Sequence, residues 1–114
     1  MITIYGIKTC NTVRKAIKFC KDNDLEHTFI DFRANPLDDE KVKYFASKVD
    51  INILFNNRGT KYKDLGLKDL NLDEDGKLEW LCKENMLLKR PVVEYNNDKV
   101  LISFNEDFYK EELL

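Results

Sequence analysis

The sequence predicts a mixed α/β fold, ordered β-α-β, a helical stretch, then β-β-α, with one mixed four-stranded sheet flanked by helices. Three observations carry this expectation. A β-branched and aromatic run, Ile2 to Tyr5, is followed by apolar residues at helical spacing, Val13, Ala16, Ile17 and Cys20. A second β-like run, His27 to Phe32, completes a strand-helix-strand unit, whose strands should be parallel. Near the other end, Pro91 to Tyr95 and Val100 to Phe104 flank Asn96-Asn97-Asp98, a hairpin signal.

Each element has local support. Asn11 or Thr12 can cap the first helix, and Asp22-Asn23-Asp24 ends it. After Asn35-Pro36, Val42, Phe45, Ala46 and Val49 share one helix face. Ile51 to Phe55 reads as a short helix, Asn56 to Gly59 as a loop, and Tyr62 to Leu70 as loosely helical. Leu78, Leu81 and Cys82 mark another helix before Asn85. Asn105 is placed to cap a last helix whose first turn carries Glu106 and Asp107, the charge that a helix dipole prefers. A length of 114 residues suits one domain, residues 1–114, with a helical insertion at about 36–86.

Composition narrows the function classes. The net charge of −2 does not argue for direct nucleic-acid binding. No apolar run is long enough to cross a membrane, and the opening residues carry no leader pattern, so the expectation is a cytoplasmic protein; it is also expected to be a monomer. The cysteines, Cys10, Cys20 and Cys82, are odd in number and widely spaced, which is no secreted disulfide framework. Position 13 is Val, so there is no Cys-x-x-Cys, and with His27 as the one histidine no metal site and no bound cofactor is expected.

Chemistry is expected at Cys10. A thiol at a helix start faces unpaired amides and the positive end of the helix dipole, and both favour the thiolate. Five bases and no acid lie between Lys8 and Lys21. The alternative is a small buried residue ending a strand, and the helix start alone leaves both open. Cys20, ten residues on, and Cys82, beside Leu81, read as core. Arg58 beside Gly59, and Arg90 held extended before Pro91, suit forked anion recognition or plain solvation. His27 reads as a surface residue.

Three separated motifs resemble the arsenate reductase/Spx family of thioredoxin-like proteins. They are Tyr5-Gly6-Ile7-Lys8-Thr9-Cys10-Asn11-Thr12-Val13-Arg14, then Leu54-Phe55-Asn56-Asn57-Arg58-Gly59, then Leu88-Lys89-Arg90-Pro91-Val92. The resemblance implies a thioredoxin-like fold with Cys10 as the nucleophile. It implies an anion or glutathione site made by Asn11, Thr12, Arg14, Arg58 and Arg90 with a cis Pro91. Glutathione would be the co-substrate and a glutaredoxin a possible partner. The chain departs from the arsenate reductases at three places. Gly6 stands where a histidine is expected, Val13 where a serine is expected, and Phe104 where the last-strand arginine is expected. The pattern is nearer an arsenate reductase-like, single-cysteine thiol reductase. The Spx branch, transcriptional regulators that bind the RNA polymerase alpha subunit, is the alternative, without the dithiol switch that Val13 removes.

Overall fold

A computed structural model describes all 114 residues. They form two compact units, Met1–Asn35 with Arg90–Leu114, and Pro36–Lys89.

The first unit carries the sheet. Its strands are β1 (Ile2–Gly6), β2 (His27–Asp31), β3 (Val92–Tyr95) and β4 (Lys99–Ile102), in the order β2-β1-β3-β4. β1 runs parallel to β2 and antiparallel to β3, and β3 runs antiparallel to β4. This is the mixed thioredoxin-like sheet that the sequence implies. The crossover between β1 and β2 is α1 (Asn11–Asp22), as a parallel pair requires. α1 buries Val13, Ala16, Phe19 and Cys20 against Ile2 and Ile4 of β1 and Val93 of β3. Ile17, expected on the buried stripe, is only half-buried, and Phe19 is buried in addition. The reason is the last helix, Glu106–Leu113, which turns Tyr109 toward Phe19, with ring centroids 5.5 Å apart.

The hairpin turn is built on two left-handed asparagines, Asn96 (φ 49°) and Asn97 (φ 70°), a conformation asparagine tolerates better than most residues. β4 ends at Ile102, two residues earlier than expected, because Ser103 turns left-handed (φ 67°) and donates its N–H to the Pro91 carbonyl at 2.8 Å. The last helix is capped as the sequence implies: Asn105 Oδ1 accepts the Phe108 amide at 3.1 Å.

The second unit is helical. It contains α2 (Asp39–Lys48), α3 (Ile51–Leu54), α4 (Thr60–Asp64) and α5 (Glu74–Lys83), with 3-10 turns at Leu67–Leu70 and Asn85–Leu87, which makes the last helix of the chain α6. Asp38, Asp50 and Asp73 cap α2, α3 and α5 through their carboxylates. Asn85 is buried and fully satisfied, accepting the Leu37 amide at 2.8 Å and donating to the Leu81 carbonyl at 3.0 Å. This unit runs through Lys89, whose N–H bonds to Leu54 O, while Asn56 N–H bonds to Leu87 O, each at 2.8 Å. No helix is long and apolar enough to cross a membrane.

Gly6, where β1 leaves the sheet, is required by its neighbour in space. A Cβ at this position would lie 2.5 Å from Val13 Cγ2. A β-branched side chain in a helix has essentially one rotamer and cannot swing away. Gly6→Ala is therefore expected to lower stability by about 1–3 kcal/mol, the usual cost of overpacking. Adding Val13→Ala should return part of that loss. Urea unfolding of the single and double variants measures both, and a Gly6→Ala protein as stable as the parent would refute the steric reading.

Candidate active site

Cys10 is the N-cap of α1, in extended conformation (φ −84°, ψ 122°), half-buried at the carboxyl end of β1. Its N–H bonds to Ile7 O at 3.2 Å, and its carbonyl accepts the Arg14 amide at 3.1 Å, opening the helix. Asn11 and Thr12, expected as caps, are instead the first two helical residues, and no side chain closes a capping bond. The amides of the first turn are thus left to the sulfur. Burial pushes the Cys10 thiol up, but the amides of Val13 and Thr12 and the Arg90 guanidinium outweigh it and hold the thiol below its ordinary value. Arg90 hydrogen-bonds the sulfur as well as facing it with charge. It reaches this place from the residue before Pro91, and the Arg90–Pro91 peptide is cis.

The other predicted site residues fall as follows. Arg14 is exposed, and its Nε donates to the Lys8 carbonyl at 3.1 Å, so it ties the turn that carries Cys10. Pro91 is buried at the entry to β3. Asn11 is exposed and Thr12 half-buried. Arg58 is exposed in the Asn56–Gly59 loop of the helical unit, with its backbone N–H on Asn56 Oδ1 at 3.1 Å.

The remaining thiols differ from Cys10. Cys20 is fully buried, as expected, and burial pushes its thiol up. Cys82 is not core: it is half-buried, because it turns toward the polar side of α2 and not into the stripe under Leu81. Burial first, then the Asp39 carboxylate, raises its thiol, with Lys43 opposing. His27 is not a free surface residue: its ring is half-buried, with Nδ1 2.9 Å from the Leu25 carbonyl.

The three departures from the arsenate reductase pattern have structural reasons. Gly6 and Val13 are one steric unit, since any side chain at position 6 meets Val13. Phe104 packs edge-to-face on Tyr109 at 4.8 Å and on Phe19 at 6.2 Å, so an aromatic cluster occupies the place of a charge.

Sequence reasoning from the residues passed over Asp31. It ends β2, and its carboxylate accepts amides from Arg33 at 2.9 Å, Lys8 at 3.2 Å and Ala34 at 3.4 Å. Slight desolvation pushes its pKa up, and these amides with the Lys8 charge more than reverse that, leaving it below the ordinary carboxylate range. The Asp31–Lys8 contact spans the crossover, and nothing local in the sequence announces it.

The model of the ArsC family matches residues 5–112. The chain belongs to the ArsC family. An uncharacterized protein of Haemophilus influenzae is 37% identical over 111 residues, covering 96% of each chain. The arsenate reductase of Acidiphilium multivorum is 29% identical over 94 residues, 81% of this chain and 67% of that protein. The solved structure of YFFB (PA3664) superposes with a TM-score of 0.91 at 27% identity, over the whole of both chains. This ArsC-family chain thus shares its fold along its full length, and its resemblance to arsenate reductases along most of it.

Proposed function

We propose that this ArsC-family protein is a single-cysteine thiol oxidoreductase that uses glutathione. The observation that carries the reading is the Cys10 sulfur, held toward its thiolate by two backbone amides and Arg90. A thiolate at a helix N-terminus attacks a disulfide sulfur directly. With a glutathione mixed disulfide as substrate, the Cys10 thiolate bonds to the glutathione sulfur and the substrate thiolate leaves and takes a proton. A second glutathione thiolate then attacks the Cys10-bound sulfur. This yields oxidised glutathione and regenerates the Cys10 thiolate, with a glutaredoxin as the alternative second thiol.

The external thiol is needed because Cys20 lies in the core of the same helix and Cys82 is a raised, poorly ionised thiol. The Arg90 guanidinium stands beside the Cys10 sulfur, where its positive charge suits a carboxylate of the incoming glutathione. The extended backbone at Pro91 suits docking of a peptide as an added strand. Turnover of a glutathione mixed disulfide with glutathione, followed by NADPH consumption through glutathione reductase, tests the reading. No rate above that of the Cys10→Ser variant would overturn it.

The same site is expected to reduce arsenate poorly. Gly6, Val13 and Phe104 remove three polar groups that the family's pattern would aim at an oxyanion, and losing one such donor costs about a hundredfold or more. An assay coupled to glutathione and glutaredoxin should show turnover at least about a hundredfold below that of a dedicated arsenate reductase. Equal turnover would show that the missing groups are dispensable.

A further inference from the structure

We propose that Asp31 is a positioning residue for the Cys10 nucleophile, acting through the backbone of Lys8. The inference rests on the reading of Cys10 as the reactive thiol. Lys8 stands two residues ahead of Cys10 in the turn that leaves β1, and both of its peptide groups are tied by side chains. Its N–H donates to Asp31 Oδ2 at 3.2 Å, and its carbonyl accepts Arg14 Nε at 3.1 Å. The Ile7 carbonyl next to it accepts the Cys10 N–H. The turn is thus held from outside on both faces, where a surface loop would ordinarily leave its polar groups to water.

Asp31 is itself anchored before it reaches Lys8. It lies opposite Gly6 in the parallel register, and the next residue, Phe32, donates its N–H to the Gly6 carbonyl at 3.0 Å. Its second oxygen is taken by the amides of Arg33 and Ala34. A carboxylate fixed in this way is a rigid post, and a charge-assisted bond from it to Lys8 is stronger than a neutral one. The Thr12 and Val13 amides belong to α1, whereas the sulfur is delivered by the turn. Any drift of the turn misaligns the two, and misplacement by about 1 Å is enough to cost a reactive group much of its rate. The charge of Asp31 can only oppose a nearby thiolate, so whatever help it gives is geometric. The two effects have opposite signs, which makes them separable.

The test compares iodoacetamide alkylation of Cys10 against pH in the parent, Asp31→Asn and Asp31→Ala, with thermal unfolding measured alongside. Asparagine keeps an oxygen for the Arg33 and Ala34 amides but offers no second acceptor to Lys8, so the strand end persists while the tie to the turn is lost. Both variants are expected to alkylate about tenfold more slowly at neutral pH, with the midpoint moved upward. Several results overturn the proposal. One is a folded Asp31→Asn protein that reacts at the parental rate or faster, whatever its melting temperature. Another is a slowing confined to Asp31→Ala, which would assign the effect to the Arg33–Ala34 turn. A parental midpoint at the free-thiol value would sink the reading of Cys10 itself, before any variant is compared.

Discussion

Replacement of Cys10 by serine is expected to abolish glutathionylation of the protein. Treated with oxidised glutathione, the parent should gain one glutathione by intact mass, mapped to Cys10, and the variant none. The expectation follows from three thiols in three settings. Cys10 is half-buried, with its ionised form favoured by the Thr12 and Val13 amides and Arg90. Cys20 is fully buried on α1, without access to a disulfide. Cys82 is raised by burial and by the Asp39 carboxylate, so little of it is thiolate at neutral pH. Thiol–disulfide exchange runs through the thiolate, so reactivity should fall almost wholly on Cys10. A mass loss of two protons with no adduct would mean an internal disulfide and a resolving thiol in this chain. An adduct persisting in the serine variant would move the chemistry to another cysteine.

The second large effect is expected from Arg90→Ala. Arg90 supplies both a positive charge and a hydrogen bond to the Cys10 sulfur, and each favours the charged form. Without it, burial still pushes the thiol up while only the two amides pull it down, so the alkylation midpoint must move upward. Below that midpoint less thiolate is present, and the rate at neutral pH falls. A hydrogen bond to a charged group is worth about 1.5–3 kcal/mol when shielded and less at a half-exposed sulfur. The expected slowing is therefore about tenfold, and it should vanish well above the midpoint, where both proteins are fully ionised. A Lys at position 90 keeps the charge but not the fork, so it should recover part of the rate. An unchanged midpoint in Arg90→Ala would show that the helix amides suffice alone.

The chain order of strands and helices was legible because each element is stated by nearby residues. The alternation of Ile2 and Ile4, the period of Val13, Ala16 and Cys20, and the asparagines of the hairpin turn each act over a few positions. The same holds for the cap of the last helix, since Asn105 reaches an amide only three residues away. Cys10 too could be singled out locally, as a thiol at the junction of a strand and a basic helix.

What tertiary structure alone decided are the contacts between residues distant in sequence. The resemblance implies Arg90 at the Cys10 site, but no local signal states it; the contact forms because β3 pairs with β1, setting the entry of one strand beside the exit of the other. Asp31 comes to Lys8 because β2 runs parallel to β1 in a register that places it opposite Gly6. Gly6 and Val13 depend on each other because α1 packs back on β1, and the half-exposure of Cys82 depends on the way α5 lies on α2. Periodicity names the face a residue occupies, but it cannot say which neighbour meets that face. That depends on register and packing, which are properties of the folded chain.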